Sequence, residues 1–308
     1  MNEASSVDRP FNAMTVDVED YFHVSALAEV ISRKDWDRME YRAERSTERL
    51  LELFAAHGVR ATFFVLGWVT ARSPQLVRRI HDAGHEVACH GLTHELVYRQ
   101  TPAVFEDETR RSKTMLEDVI GAPVLGYRAA SYSITQASFW AIDILCDLGF
   151  RYDSSIFPIA HDRYGIPGAK TQPGTLLSAR GQSIVEFPLS TKSILGVRVP
   201  VAGGGYFRLL PYWFTRWALG SINSVDRLPF IFYLHPWEID AQQPRFKASW
   251  LSRFRHYNNL DVCEARLTRL LKDFRFTTVR DVLQPHLSAR LAALPQATLD
   301  AGYSAGAL

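Results

Sequence analysis

The chain has 308 residues, 47% of them hydrophobic, which is enough to bury one large core or two ordinary ones. Its 35 basic and 33 acidic residues leave a net charge of +2 and are interspersed, which argues against a nucleic-acid-binding protein. Three cysteines, Cys89, Cys146 and Cys263, with no C-x-x-C spacing, exclude a disulfide framework and a cysteine zinc site, and Cys146 reads as core.

The opening residues, "MNEASSVDRPFNAM", contain no apolar leader, and no apolar run approaches a membrane span, so the expectation is a cytoplasmic protein, with peripheral association with the inner membrane left open. "FNAMTVDV" predicts a strand. "STERLLELFAAHG" predicts a helix with Leu50, Leu51, Leu53 and Phe54 on one face and Gly58 at its end. "VRATFFVLG" is a second strand, and "SPQLVRRIHDAG" a helix with Ser73 as N-cap, Pro74 at its first position and Gly84 as terminator. "HEVACHG" is the next strand, followed by a helix from Thr101-Pro102 to Gly121. Then come the strand "VLGYRAA" and a helix from Thr135 to Gly149. "FRYDSS", "SIVEFPLS" and "PFIFYLHP" are further strands, and "CEARLTRLLKDFR" with "FTTVRDVL" completes the pattern. Gly203 to Gly205 read as a flexible turn beside the site, "EFPLS" as core strand, and Trp213, Trp217, Trp237 and Trp250 as partly core. The tail 286–308 reads as a short helix followed by weak order. About seven strands alternating with helices imply a parallel sheet, either doubly wound or a (β/α) barrel.

Costly polar residues gather where these strands end: Asp17, Glu19 and Asp20, then His90 and His94, Arg128, Asp153 and His235. Parallel α/β folds put their sites on that edge. "HEVAC" and "HELVY" each miss the zincin H-E-x-x-H pattern by one residue, Cys89 and Tyr98, which removes that class. Alternation puts Asp17 and Glu19 on one face, with Asp20 available from the loop. One carboxylate could then bind a metal while another acts as general base. His90 and His94 share one side if the chain turns helical after His90, while Cys89 points away. Two imidazoles and a carboxylate suit a catalytic divalent metal such as zinc, with cobalt or nickel as alternatives. Arg128 is placed to orient a carboxylate, and His235 to act as a general acid. Asp153 and Trp237 complete the set as substrate-contacting candidates.

"TVDVED", "HGLTH", "YRAASYS", "YDSS" and "FYLHPWE", in this order, resemble the motifs of the NodB-homology polysaccharide deacetylases, carbohydrate esterase family 4, over residues 11–285. "DVEDYFHV", "GGGYFRLLPY" and "LHPWEID" further resemble the subgroup found with exosortase-linked exopolysaccharide loci, which suggests a subgroup-specific extension from about residue 200. The resemblance implies a distorted, incomplete (β/α) barrel and metal-dependent N-deacetylation of N-acetylhexosamine residues in a polysaccharide or its precursor. It implies Asp17 as base, His90 and His94 as metal ligands, Arg128 as the residue that positions the base, and His235 as acid. Val18 stands where many members carry a second aspartate, so the carboxylate ligand is Glu19 or Asp20. Ala129-Ala130 replaces a common proline, which leaves the oxyanion N–H to Ser131 or Tyr132. Two other readings remain: hydrolysis of another C–N bond, as in a cyclic ureide or imide, and a non-catalytic carbohydrate-binding protein.

Overall fold

The computed structural model describes residues 10–161 and 164–292. Strands β1 (Asn12–Val18), β2 (Thr62–Val65), β3 (Glu86–Cys89), β4 (Gly126–Tyr127) and β5 (Tyr152–Asp153) follow one another through helices. The helices are α1 (Ala43–Ala56), α2 (Gly67–Arg72), α3 (Pro74–Asp82), α4 (Pro102–Ile120) and α5 (Ala141–Asp147). The second half adds β6 (Gly174–Leu177), β7 (Ser183–Glu186), the hairpin β8 (Thr191–Ile194) and β9 (Val197–Pro200), α6 (Gly204–Leu209) and α7 (Tyr212–Ser224). It closes with β10 (Ile231–Leu234), α8 (Trp250–Tyr257), α9 (Leu260–Asp273), β11 (Phe276–Thr277) and α10 (Val279–Ala292).

The main sheet runs β10-β1-β2-β3-β4-β5-β7-β6, with β11 paired to the start of β1. Its pairs are parallel except β6 with β7. The two ends of this order, β10 and β6, do not pair, so the curled sheet is the expected incomplete barrel. Every residue of β1, β2, β3 and β10 is buried, because helices cover one face and the barrel interior the other. Alternation separates the two layers. Met14, Val16 and Val18 pack outward with Phe63 and Val65 against the helices. Ala13, Phe64, Ala88, Tyr152, Ile231 and Tyr233 pack inward.

The punctuation residues act mostly as expected. Thr101 caps α4 by accepting from the Val104 N–H at 3.3 Å, and Gly121 ends it in the left-handed conformation at φ 67°. Ser73 sits at the N-cap of α3, but its hydroxyl donates to Glu44 at 3.0 Å instead of capping. Phe63 lies in the outward layer beside Phe54, with ring centroids 6.1 Å apart. Phe63→Ala is expected to cost about 3–5 kcal/mol in a denaturant titration, because the packed surroundings cannot collapse into the void.

Four features differ from the sequence reading. Gly203 to Gly205 are no flexible turn. They open α6, and a Cβ at Gly203 would stand 2.0 Å from the Tyr233 carbonyl oxygen, so the backbone can lie against β10 only with glycine there. The helix expected from Thr135 to Gly149 is a turn at 136–138 followed by the shorter α5. Trp213, Trp217 and Trp250 are mostly exposed, leaving only Trp237 of that set buried, and Cys146 is half-buried at the margin of the core. α10 continues through Pro285 to Ala292, so residues 286–292 are helical, while residues 293–308 lie outside the described residues.

Candidate active site

The inward face of each strand delivers one functional side chain at its C-terminal end. Asp17 follows Ala13 and Thr15 on β1, His90 follows Ala88, Arg128 follows Gly126, Ser154 follows Tyr152, and His235 follows Tyr233. Arg128 is fully buried and organises the floor. It donates to Asp17 Oδ1 at 2.7 Å, to the Thr15 hydroxyl at 2.8 Å, and to the Ser154 carbonyl and hydroxyl at 3.1 and 3.0 Å, and it lies over the Phe64 ring at 4.1 Å. A buried guanidinium with this set of partners stays charged and fixes one oxygen of Asp17. The other oxygen, Oδ2, is left 3.4 Å from the Tyr132 hydroxyl and 3.9 Å from His235 Nε2.

Glu19, His90 and His94 offer one ligand atom each, all within 4.8 Å of one another, and all three residues are buried. His94 Nε2 is 2.8 Å from Glu19 Oε2. His90 donates from Nδ1 to the Arg128 carbonyl at 2.9 Å, which leaves the Nε2 lone pair free, and burial lowers its pKa to about 4, so it is a neutral donor. Burial alone would raise the Glu19 carboxyl, but the imidazoles of His94 and His235 outweigh it and hold Glu19 ionised. Two imidazoles and one ionised carboxylate, whose ligand atoms lie within 4.8 Å of one another, fit a divalent cation with positions left for substrate. His94 reaches this place by a different route from the helical one expected. The 90–96 segment is a loop, and His94 takes a left-handed φ of 54° after Gly91 at φ 79°. The loop is strapped by Gly67 N–H and the Ser112 hydroxyl to the Gly91 carbonyl, at 2.9 and 2.8 Å. Such a backbone costs on the order of 1–2 kcal/mol and is held by these bonds.

Asp20 is not beside the two histidines as a ligand. Its Oδ2 accepts from the Arg42 and Ala43 N–H groups at 2.6 and 2.7 Å, and its Oδ1 from the Tyr21 N–H at 2.8 Å. It caps the incoming α1, with both oxygens occupied by backbone donors. Asp153 is also displaced from its expected place: Tyr152 points inward, so Asp153 points outward, fully buried beside Glu186 across the β5–β7 pairing. Burial raises both carboxyls, Glu186 further because Asp153 faces it, so the pair retains a proton at neutral pH. Unfolded, these groups ionise near pH 4. The pair therefore favours the folded state fully in acid, and that contribution is lost as pH rises from about 4 through the raised folded-state values. The melting temperature of Glu186→Gln is expected to gain on the parent chain as pH rises from about 5 to about 8, and a constant difference would sink the shared-proton reading.

Sequence reasoning did not single out the support of His235. Its Nδ1 is 2.7 Å from Glu238 Oε1, and Glu238 Oε2 accepts from the buried Arg208 at 2.6 Å. Burial would lower the His235 pKa, but Glu19 and Glu238 raise it to about 9, so the imidazole holds a proton at neutral pH. The H-x-x-E spacing of "HPWE" was the available signal, since an i,i+3 carboxylate reaches back to the start of a helical turn. Trp237, expected at the substrate, is buried. It stacks on His235 at 5.1 Å and donates to Glu19 Oε1 at 3.2 Å. His23 was also missed. It accepts the Asp20 N–H at 2.8 Å, packs among Phe22, Trp36 and Trp68, and steadies the loop that carries Glu19. Ser131 and Tyr132 line the cleft, both at positive φ. The Tyr132 N–H is engaged by the Ala129 carbonyl at 3.0 Å, which favours Ser131 of the two oxyanion candidates.

A carboxylate fixed by Arg128, a triad that could hold a cation and an imidazole braced by Glu238 thus meet at the strand ends of an incomplete barrel. Residues 36–152 match the polysaccharide deacetylase family, and residues 154–284 match a domain of unknown function, DUF3473. Residues 36–152 thus carry a polysaccharide deacetylase domain of the NodB-homology type. The chain is 31% identical over 125 residues to a peptidoglycan deacetylase of Helicobacter pylori, covering 41% of this chain and 42% of that protein. It is 34% identical over 99 residues to a chitooligosaccharide deacetylase of Bradyrhizobium, covering 32% and 43%. The chain thus spans less than half the length of these curated relatives. In structure it resembles a Mycobacterium smegmatis protein assigned as a polysaccharide deacetylase (TM-score 0.57, 19% identity, 92% of each chain). It resembles PuuE allantoinase to a similar degree (TM-score 0.57, 14% identity, 90% of this chain and 89% of the other). At these identities both likenesses show the fold alone. His90, His94 and Arg128 lie within the matched family segment, Asp17 and Glu19 lie before it, and His235, Glu238 and Arg208 lie in the DUF3473 segment.

Proposed function

We propose that the protein is a divalent-cation-dependent N-deacetylase that acts on N-acetylhexosamine residues of a polysaccharide or its precursor, in exopolysaccharide formation. The observation that carries this reading is the convergence in one cleft of Asp17 on Arg128, of Glu19 with His90 and His94, and of His235 on Glu238. A cation held by Glu19, His90 and His94, zinc first and cobalt or nickel as substitutes, supplies Lewis-acid polarisation of the acetamide carbonyl. Asp17 takes a proton from the attacking water through Oδ2, because Arg128 occupies Oδ1. The Ser131 N–H is the backbone donor for the developing oxyanion. His235 gives its proton to the nitrogen as the C–N bond breaks, which releases acetate and a free amine, and Glu238 holds the ring in position.

Two alternatives are disfavoured by particular features. A binding module has no need of a carboxylate held by a buried arginine, a complete ligand triad and a braced imidazole in one place. A small cyclic ureide favours a closed pocket, whereas this cleft shares residues with a second cavity. Among the described residues no helix is long and apolar enough to cross a membrane. The test is acetate release from N-acetylated chitooligosaccharides by protein stripped with chelator and reloaded with zinc, cobalt or nickel. Release that depends on the added metal upholds the reading, and none with any of the three sinks it.

A further inference from the structure

Where the polar cleft ends, a cavity of about 390 Å³ begins, sharing Ser25, Ser131, Tyr164, Tyr233 and Arg255 with it. Its outer wall is made by Leu96, Leu209, Leu251 and Phe254. The last three are 49%, 46% and 40% exposed, and Trp250, 78% exposed, stacks on Phe254 at 5.8 Å. Folding alone does not require three such side chains in water around one opening, and contiguous apolar surface rimmed by polar groups marks a binding site. The aliphatic wall also says what kind of ligand it suits. Sugar hydroxyls placed against leucine side chains lose hydrogen bonds to water and gain none, whereas a hydrocarbon chain loses nothing there.

The seam between cleft and cavity carries a cation. Arg255 lines both, is exposed, and forms no ion pair among the described residues, unlike Arg208 on the same side, which is bonded to Glu238. From Ala241 to Leu260 the chain has Arg245, Lys247, Arg253 and Arg255 and no acidic residue, so nothing on this segment neutralises an incoming anion. The order along the site is therefore a polar cleft, a guanidinium with no ion pair among the described residues, and an apolar cavity opening between exposed leucines.

We infer that the substrate is an amphiphile, an N-acetylated saccharide joined through a phosphate to a hydrocarbon chain. The sugar lies in the cleft, the phosphate at Arg255, and the chain along Leu209, Leu251 and Phe254. This inference rests on the deacetylase reading for the sugar end but not for the chain and phosphate.

The test has two parts. First, calorimetry with monomeric dodecyl phosphate, which needs no sugar and no turnover, is expected to show binding that weakens about tenfold or more in Leu209→Asp, Leu251→Asp and Arg255→Ala. The two leucines are half-exposed, so their replacement leaves folding intact. Second, the zinc-loaded chain is given chitotetraose and N-acetylglucosamine carried on dodecyl phosphate. The kcat/KM ratio is expected to favour the amphiphile by about tenfold or more and to approach parity in Leu209→Asp. Acetate release from chitotetraose without dodecyl phosphate binding overturns the inference and leaves the deacetylase reading standing. Binding that is unaffected by all three substitutions also overturns it. Binding that the substitutions abolish, with no acetate from either saccharide, upholds the amphiphile site and overturns the deacetylase reading.

Discussion

Asp17→Asn is expected to lower kcat by about a thousandfold, with KM and cation content little changed. The amide keeps the shape of the carboxylate and still accepts a hydrogen bond from Arg128, but it cannot take the proton of the attacking water. The substitution also has a structural cost. Arg128 is fully buried, and Asp17 is its anionic partner at 2.7 Å. Leaving that guanidinium with a neutral partner is expected to cost on the order of 2 kcal/mol, less than full loss of a buried pair because one hydrogen bond survives. Activity must therefore be measured well below a lowered melting temperature, with cation content determined on the same sample. Turnover within about tenfold of the parent chain would remove Asp17 from the base role.

His94→Ala is expected to abolish cation retention. It removes one of the three proposed protein ligands, and since loss of even a supporting contact typically costs 10- to about 100-fold in affinity, loss of a ligand should exceed about a hundredfold. Elemental analysis of protein purified without added metal reads this directly. The carboxylate can be settled in the same experiment. Glu19→Gln should lose the metal. Asp20→Asn should keep it and lose about 1 kcal/mol or more of stability, because Asp20 holds the Arg42 and Ala43 N–H groups at the start of α1 and the Tyr21 N–H of its own loop. Metal lost from Asp20→Asn with an unchanged melting temperature would reverse the assignment. The positive φ of His94 adds a second effect: alanine there is no better suited to φ 54°, so the loop stays strained while losing what holds it to Glu19.

The sequence reading was strongest where one local rule acts. Period-two alternation and strand-end position located Asp17, His90, Arg128 and His235, because a buried polar side chain at the C-terminal end of an apolar strand has few places to go. The same rule, applied to β5, would have chosen Ser154 over Asp153: Tyr152 must point inward beside the ring-lined interior, so its neighbour cannot. Glu238 was legible from its spacing to His235. The exposure of Trp213, Trp217 and Trp250 was not, because an indole at helical spacing looks the same whether or not another element covers it.

Apolar runs, caps and alternation act within a few residues of one another, so the residue order is enough to set which chemical groups are present and the edge of the sheet on which they stand. Tertiary structure alone decided how those groups are shared out. Glu19 faces His94 while the adjacent Asp20 turns to α1, and Arg128 commits its Nη1 to Asp17 from 111 residues away. Arg208 likewise braces Glu238 and so His235. Adjacent carboxylates have nearly the same intrinsic affinity for a metal or for a backbone N–H. Which of them takes which is settled by the donors that the closing chain brings within about 3 Å, where hydrogen bonds and ion pairs in a buried site are strong enough to choose.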